Sequence, residues 1–168
     1  LPLSALCLGL MNTHGQGTPV LLKVTKNETA EIKDRYQSSH YEHRSGADVL
    51  SYTIVVINAG QKPIKDMQIK WAILLKGRST GQQKLVEGCK TVTLERLEKH
   101  EMETTPVEMR QFWRSSYSSH SSDVVEEVGH VVEVIVNGKT ISSEIKPMTV
   151  KPKIDSARRV EEAKRLKE

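Results

Sequence analysis

Several features are scarce or missing in this 168-residue sequence, and each absence excludes a class of protein. No apolar run approaches the roughly 20 residues that a membrane-spanning helix needs, so we expect no transmembrane segment. Only two cysteines are present, which permits at most one disulfide. The paired cysteines or HExxH motif of a zinc site and the G-x-S-x-G motif of a serine nucleophile are missing. We therefore predict no catalytic residue, no metal site and no cofactor.

The positive charge of the chain is concentrated near its C-terminal end. The sequence holds 25 Lys and Arg against 21 Asp and Glu, a formal charge of +4. Residues 151–168 contain seven of these basic residues and four of the acidic ones, so residues 1–150 are close to neutral. A neutral body lacks the electrostatic footprint that phosphate backbones require. We expect no nucleic-acid partner.

Residues 49–75 carry the clearest architectural pattern and predict two strands joined by a turn at residues 58–63. Gly60 and Pro63 supply the break, because glycine allows a positive φ and proline cannot donate to a strand ladder. The second strand should have one apolar face and one wet face, as half-buried antiparallel strands do. Apolar residues alternate on each strand: Leu50, Tyr52, Ile54 and Val56 on the first, then Met67, Ile69, Trp71, Ile73 and Leu75 on the second.

Turn residues separate further short strands on both sides of this pair. Residues 18–26 and 91–96 read as strands, and residues 84–90 lead into the second of them. Residues 102–109 read as a further strand, which Pro106 makes an edge or bulged strand. Asn137-Gly138 predicts a tight hairpin within residues 131–145, since a type I′ turn needs a positive φ at both positions. Residues 29–48 predict an exposed edge strand followed by a long loop, and residues 110–129 a polar loop.

Residues beyond 150 predict a short helix in place of further strands. Asp155 or Ser156 can cap a helix over residues 157–168, which is rich in good helix formers. Its apolar residues step by three and drift around the helix, leaving only a narrow stripe for docking.

Together these elements predict an all-β fold of about seven to nine strands with a C-terminal helix. The run Tyr52-Thr-Ile-Val-Val-Ile-Asn-Ala-Gly60, followed by Ile64 and Trp71, resembles the immunoglobulin/fibronectin-like antiparallel β-sandwich of exported bacterial and archaeal surface proteins, some of them pilus-associated. The resemblance implies a sandwich over residues 18–150, with Trp71 in its core and a role in adhesion or assembly. Residues 1–17 and 151–168 would flank it, and no cysteine pair would bridge its two sheets.

Residues 1–11 form the most hydrophobic stretch and precede the polar residues 12–17. This pattern is typical of an export signal with its cleavage zone, although the basic start of such a signal is missing. The alternative is a retained edge strand or a strand donated to a neighbouring molecule. We predict an exported protein, located in the periplasm, on the outer membrane surface or in the extracellular space. A Cys7–Cys89 disulfide is possible only if the segment is retained.

Aromatic side chains in the polar stretch 110–129 are the best candidates for binding. Phe112, Trp113 and Tyr117 either anchor a protein or sugar ligand or pin a loop over an open end of the fold. The six histidines are scattered, and we interpret them as solvated loop residues. Ser115–Ser122 with His120 and Asp123 do not form a triad, because adjacent residues in a flexible loop provide no rigid nucleophile turn.

The predicted function is that of a non-enzymatic exported protein at the cell envelope or surface, acting in adhesion, protein–protein interaction or pilus and surface assembly. A protein partner or self-association is expected, with a glycan as a second kind of ligand. One alternative is a carbohydrate-binding module that uses the aromatic residues near Trp113. A second alternative is an enzyme without a recognisable motif.

Overall fold

A computed structural model of the chain describes residues 19–38, 41–116 and 119–166. Within these residues the chain forms eight strands and one helix. In chain order they are β1 (Val20–Ser38), β2 (Tyr41–Asn58), β3 (Ile64–Gly77), β4 (Gln83–Leu94), β5 (Lys99–Glu103), β6 (Val107–Ser116), β7 (Ser119–Val136), β8 (Lys139–Lys146) and α1 (Val150–Arg165). The prediction of a mostly β protein with antiparallel strands and a C-terminal helix is confirmed. The predicted segment 1–17 lies outside the described residues.

All strand pairings are antiparallel, and the strands follow the order β1-β2-β6-β7-β3-β4. β5 also pairs with β2, and β8 pairs with β7. β5 and β6 lie one after the other along β2, with Thr104–Pro106 between them. The single edge or bulged strand predicted for residues 102–109 is therefore parts of two strands, and β6 pairs on both sides, with β2 and with β7. β7 is shared between two halves of the molecule: residues 119–124 pair with β6, and residues 125–135 pair with β3.

The core lies between β2 and β3 and joins the two halves. The predicted inward residues Leu50, Tyr52, Ile54 and Val56 of β2 and Met67, Ile69, Ile73 and Leu75 of β3 are all buried. They form two apolar clusters that also include residues of β4, β5, β6 and β7. Full burial of one such side chain stabilises the fold by about 1.5–3 kcal/mol. The alternation of residues 49–75 therefore identified the core correctly.

Trp71 occupies a different place from the one the sequence predicts. Its side chain is half-buried and packs against the first core cluster from the side. The indole ring lies over Gly88, the residue opposite it on β4, where an added Cβ would lie 2.0 Å from the ring. Glycine at position 88 thus provides the space for the ring. Trp71 covers the edge of the core and does not fill its centre.

The predicted wet face of β3 is correct at Lys70, which is exposed, and wrong from Ala72 onward, because α1 packs there. Ala72 and Leu74 are buried together with Val131 against the helix residues Val150 and Ile154. The helix starts at Val150, seven residues before the predicted start at residue 157. Its N-cap is Thr149, whereas Asp155 and Ser156, the predicted caps, lie within the helix. Of the predicted apolar stripe, Ala157 is buried, while Val160 and Leu166 are exposed. The docking stripe lies earlier in the sequence than the pattern of residues 157–168 indicates.

The sequence predicts residues 29–48 as an exposed edge strand followed by a long loop, and residues 110–129 as a polar loop. The edge strand is confirmed, but most of both predicted loops is paired strand. β1 continues to Ser38, and β2 begins at Tyr41, so residues 29–48 form a long hairpin with Ser38 opposite Tyr41. β6 and β7 form a second hairpin, in which Gln111 lies opposite Val124. Backbone groups alone make such ladders, so a strand with two polar faces shows no apolar alternation in its sequence.

The hairpin at Asn137-Gly138 is confirmed, with φ values of 50° and 75° at these residues. The return strand of this hairpin contains a β-bulge. Val134 lies opposite Ser142 and Ile135 opposite Thr140, so Ile141 is an extra residue in a β-bulge. A bulge exchanges the faces of the residues that follow it. Ile141 packs against the first core cluster, whereas Ile145 packs with the cluster beneath α1.

Candidate functional site

A cleft of about 310 Å³ opens between β1 and the β7–β8 hairpin. It collects ionisable side chains that the sequence places far apart. β1 contributes Val24 and Lys26, β2 contributes Tyr52, and the remaining lining residues are Glu127, Val128, Gly129, His130, Glu144, Lys146 and Pro147. We call this feature the β1 cleft.

A bulge in β7 brings two of these side chains together. Leu74 lies opposite Gly129 and Leu75 opposite Glu127, which leaves Val128 as an extra residue. In a regular strand, residues three apart point to opposite faces. The extra residue places Glu127 and His130 on the same side of β7, both directed into the β1 cleft.

His130 is buried at the base of the cleft, with 6% of its surface exposed. Its ring centroid lies 4.3 Å from that of Tyr52. Nδ1 of His130 lies 3.1 Å from Oε1 of Glu127, and Nε2 lies 3.5 Å from Oε1 of Glu144. The imidazole therefore stands between two carboxylates. The interpretation of His130 as a solvated loop residue is wrong.

Glu127 is the centre of the hydrogen-bond network. Oε1 accepts hydrogen bonds from the Tyr52 hydroxyl and from His130, and Oε2 lies 3.0 Å from Nζ of Lys26. Burial alone would raise the pKa of Glu127, but the hydrogen bonds from His130, Tyr52 and Lys26 outweigh it and lower the pKa to about 2. The carboxylate is charged across the physiological pH range.

The partners of Glu127 respond to the same contacts. Burial, followed by the hydrogen bond to Glu127, raises the pKa of Tyr52, so the phenol remains a proton donor. Burial would lower the pKa of Lys26, but its bonds to Glu28 and Glu127 raise it overall. Lys26 is consequently held as a cation that links β1 to β7.

The composition of the cleft limits its chemistry. Two lysines face two glutamates, and Lys146 lies 2.9 Å from Glu144. Among the described residues that line the cleft there is no serine, threonine or cysteine that would act as a nucleophile. Within the described part of the chain, no three His, Cys, Asp or Glu residues are grouped so that they could hold a metal ion. The arrangement is suited to fixing the β1 strand against the second half of the fold.

β1 is an edge strand whose outer side pairs with no other described strand. Leu21, near its start, is 58% exposed. Backbone N–H and C=O groups along such an edge are available to a strand from another molecule. The β1 cleft lies directly beside this edge, and Lys26 belongs to both.

A row of rings lies near the end of the β1–β2 hairpin. The ring centroids of Tyr36 and Tyr41 are 6.2 Å apart, and Tyr41 stacks with His43 at 6.4 Å. Tyr36 is 59% exposed. The sequence alone does not reveal this row, because only the register that places Tyr36 opposite His43 brings the rings together.

The predicted binding residues are only partly described. Phe112 and Trp113 lie on β6, opposite Ser45 and Arg44 of β2 in the register, and Tyr117 lies outside the described residues. The predicted loop around Phe112 and Trp113 is therefore the β6–β7 hairpin. Their role in binding stays a prediction.

The structure does not test the predicted Cys7–Cys89 disulfide. Cys89 is a free, exposed thiol on β4, and Cys7 lies outside the described residues. Since the second sulfur is not described, the Cys7–Cys89 bond stays a prediction.

Other histidines that the sequence analysis interprets as loop residues also lie in strands. His43 lies on β2 and His100 on β5, where burial, with a smaller contribution from Lys90, lowers the pKa of His100. His120 lies on β7, whereas His14 and His40 fall outside the described residues. The loop interpretation of the described histidines is therefore wrong.

The fold and the cleft define an antiparallel β protein with a C-terminal helix packed on one face. Comparison with known proteins does not narrow this class to a family. No protein-family model and no curated protein matches the chain.

Solved structures show weak similarity. A structural genomics target named SoR45 is 18% identical over 64% of this chain and 84% of its own, with a TM-score of 0.26. A Bacteroides fragilis protein assigned as a beta-galactosidase is 10% identical over 70% of this chain, with a TM-score of 0.35. The alkylpurine DNA glycosylase AlkC of Pseudomonas fluorescens is 18% identical over 58% of this chain, with a TM-score of 0.31.

These similarities carry no argument about the function of this chain, because every TM-score is far below 0.5. The chain spans only 15% of the Bacteroides protein and 24% of AlkC. Separately, none of the helices among the described residues is long and apolar enough to cross a membrane.

Proposed function

We propose that this chain is an immunoglobulin-like β-sandwich that acts as a non-enzymatic protein-binding module of an exported cell-envelope or surface protein. The observation that carries the proposal is the free edge of β1, a strand of 19 residues. Proteins that assemble by strand addition use an edge of this kind, since its backbone groups supply affinity and its side chains supply specificity. Adhesion or surface assembly is the corresponding role.

The sandwich assignment rests on the shared core. Ile54 and Val56 of β2 pack in one cluster with Ile69 of β3 and Val134 of β7, so two antiparallel halves face a common interior. Two packed antiparallel sheets are the defining architecture of immunoglobulin-like domains. The long β7, which runs through both halves, is a departure from two separate sheets.

The β1 cleft supports a structural role for its charges. Lys26, Tyr52 and His130 all bond to Glu127, and Lys146 pairs with Glu144. A catalytic base needs a free proton-accepting position next to a substrate. Here the carboxylate of Glu127 already interacts with three donors from the protein itself, so no proton-accepting position is left for a substrate. In this proposal the ionic contacts of the cleft hold β1 in place, and the free edge of β1 binds the protein partner.

Location and contact can be tested together in the native host. A photoreactive residue placed at Leu21, 58% exposed on β1, should crosslink to one defined protein in the envelope fraction. The matched control is the same residue at Val160, 54% exposed on α1, which should give no adduct. Recovery of the chain in the cytosol, or equal crosslinking at both positions, would contradict the proposal.

A carbohydrate-binding role is the second candidate, favoured by the ring row of Tyr36, Tyr41 and His43. Exposed aromatic rings in a row offer apolar faces on which sugar rings can stack. A glycan array should show binding that Tyr36→Ala abolishes and Leu21→Ala preserves. Glycan binding that survives both Tyr36→Ala and Trp113→Ala would exclude this candidate.

A further inference from the structure

The free edge of β1 presents the backbone groups of its even-numbered residues. On β2, the N–H of Asn58 donates to Glu98 at 3.0 Å and the carbonyl of Tyr52 accepts from Thr104 at 2.9 Å, both on the side away from β1. Toward β1, the N–H of Ala59 donates to the carbonyl of Pro19 at 2.9 Å. Backbone groups alternate between the two sides of a strand. Odd-numbered residues of β1 therefore bond to β2, and even-numbered residues face outward.

The sequence of this edge is complementary to itself when two copies run antiparallel about Asn27. In that register Lys23 lies opposite Glu31 and Lys26 opposite Glu28, each pair occurring twice by symmetry. Lys26 and Glu28 already pair within one chain, so the Lys23–Glu31 pairs distinguish this register. Thr25 then lies opposite Thr29. All four charges between residues 22 and 32 are paired with an opposite charge, and no like charges meet.

The apolar positions agree with the same register. Leu22 lies opposite Ile32 and Val24 opposite Ala30, so each apolar position meets another across the twofold axis. Opposite residues in antiparallel strands share a face of the sheet. Leu22 and Val24 are the half-buried residues that cover the core, so the core-side face would continue from one copy to the next.

The length of the complementary segment is also defined. The β1–β2 register shifts between Ile32 and Asp34, which leaves Lys33 as an extra residue. A bulge ends regular pairing on the outer side of a strand as well. The segment available to a second copy is therefore residues 22–32.

The other long outer strands, β4 and β8, do not share this property, and the outer strand β5 is only five residues long. If two copies of β4 pair so that Lys84 lies opposite Glu87, Lys90 has no charged residue opposite it. If they pair about a twofold axis at Glu87, Lys84 lies opposite Lys90 and two like charges meet. On β8, Glu144 can meet either Lys139 or Lys146, but one centre does not match all three charges. Among the described edges, charge complementarity with a second copy favours β1.

We propose that two copies of this chain associate through β1, antiparallel and centred on Asn27, to form a twofold dimer with one continuous sheet. The proposal rests on the proposed protein-binding function and names its partner, a second copy of the chain. A closed twofold interface uses the same edge on both molecules, so the pairing stops at two copies.

Charge reversal in the full chain tests the register. Sedimentation equilibrium should show a dimer for the wild type, and Lys23→Glu or Glu31→Lys should each raise the dissociation constant by about tenfold or more, because two like-charge pairs replace two opposite pairs. An equimolar mixture of the two variants should recover the wild-type affinity as a heterodimer, as should the double variant by itself. Lys84→Glu on β4 is the matched control and should leave the dissociation constant unchanged.

Three results would overturn the inference. These are a monomeric wild type, single variants that dimerise as well as the wild type, and a mixture that does not recover affinity. If deletion of residues 1–15 abolishes association while Lys23→Glu does not, the apolar segment is the occupant of the edge. A monomer that still crosslinks from Leu21 to a different protein would refute the self-pairing and leave the protein-binding function intact.

Discussion

At the scale of single residues, Glu127 connects more parts of the molecule than any other group of the β1 cleft. Its carboxylate accepts hydrogen bonds from Tyr52 on β2 and His130 on β7 and pairs with Lys26 on β1. Removal of one partner from such a network leaves the others buried without a full complement of bonds. The charge of Glu127 should consequently control how firmly β1 is held.

Glu127→Gln should lower the free energy of unfolding at neutral pH by about 1–3 kcal/mol, because an amide cannot satisfy three donors or neutralise Lys26. Urea denaturation measures the loss. Glu126→Gln is the matched control, since the neighbouring Glu126 pairs with Arg78 on the exposed surface. A loss of equal size in the control would show that the network at Glu127 is not responsible.

The same residue predicts a pH dependence of stability. Because folding lowers the pKa of Glu127 from 4.5 to about 2, its contribution is complete above about pH 4.5 and is lost as the pH falls toward 2. Urea midpoints measured between pH 5 and pH 2 should decline more steeply for the wild type than for Glu127→Gln. Parallel profiles would show that Glu127 does not carry this dependence.

At the scale of elements, the sequence identifies strands that have one apolar face, such as β3, and the hairpin at Asn137-Gly138. It does not identify the C-terminal parts of β1 and β6, which are polar in sequence. Hydrogen bonds between polar strands use backbone groups that all residues share, so they leave no pattern in the side chains. It also cannot locate a bulge, since one extra residue at Val128 changes no local propensity. The β1 cleft depends on that bulge, so its histidine and glutamates looked unrelated in the sequence.

The helix α1 is a second element whose role depends on packing. Ile154 is 1% exposed and lies against Ala72, Leu74 and Val131. Ile154→Ala should destabilise the protein by about 2–5 kcal/mol through lost burial and a cavity. Val160→Ala, on the exposed side of the same helix, should change stability by less than about 0.5 kcal/mol. Thermal denaturation of both variants provides the measurement, and similar losses would show that the helix does not dock through Ile154.

At the scale of the whole molecule, the basic helix does not form an isolated cationic surface. Arg158 of α1 donates to Glu87 at 2.6 Å, and Lys151 pairs with Glu133. These contacts neutralise part of the charge that distinguishes the C-terminal region from the rest of the chain. Binding to a phosphate backbone requires several cations that are free to contact it.

We therefore expect no saturable binding to a duplex oligonucleotide at protein concentrations up to about 10 µM and physiological salt. Fluorescence anisotropy of a labelled duplex measures this directly. The double variant Glu87→Gln/Glu133→Gln, which frees Arg158 and Lys151, serves as a comparison and should bind more strongly at low salt. Tight, salt-dependent binding by the wild type would contradict the prediction.

The course of β7 through both halves has a consequence for how the protein unfolds. Residues 119–124 of this strand pair with β6, and residues 125–136 pair with β3 and β8. Residues of β2 and β3 pack together in both apolar core clusters, so the two halves stabilise each other and have no separate stability. Calorimetry should show one cooperative transition, and partial proteolysis should release no stable subfragment.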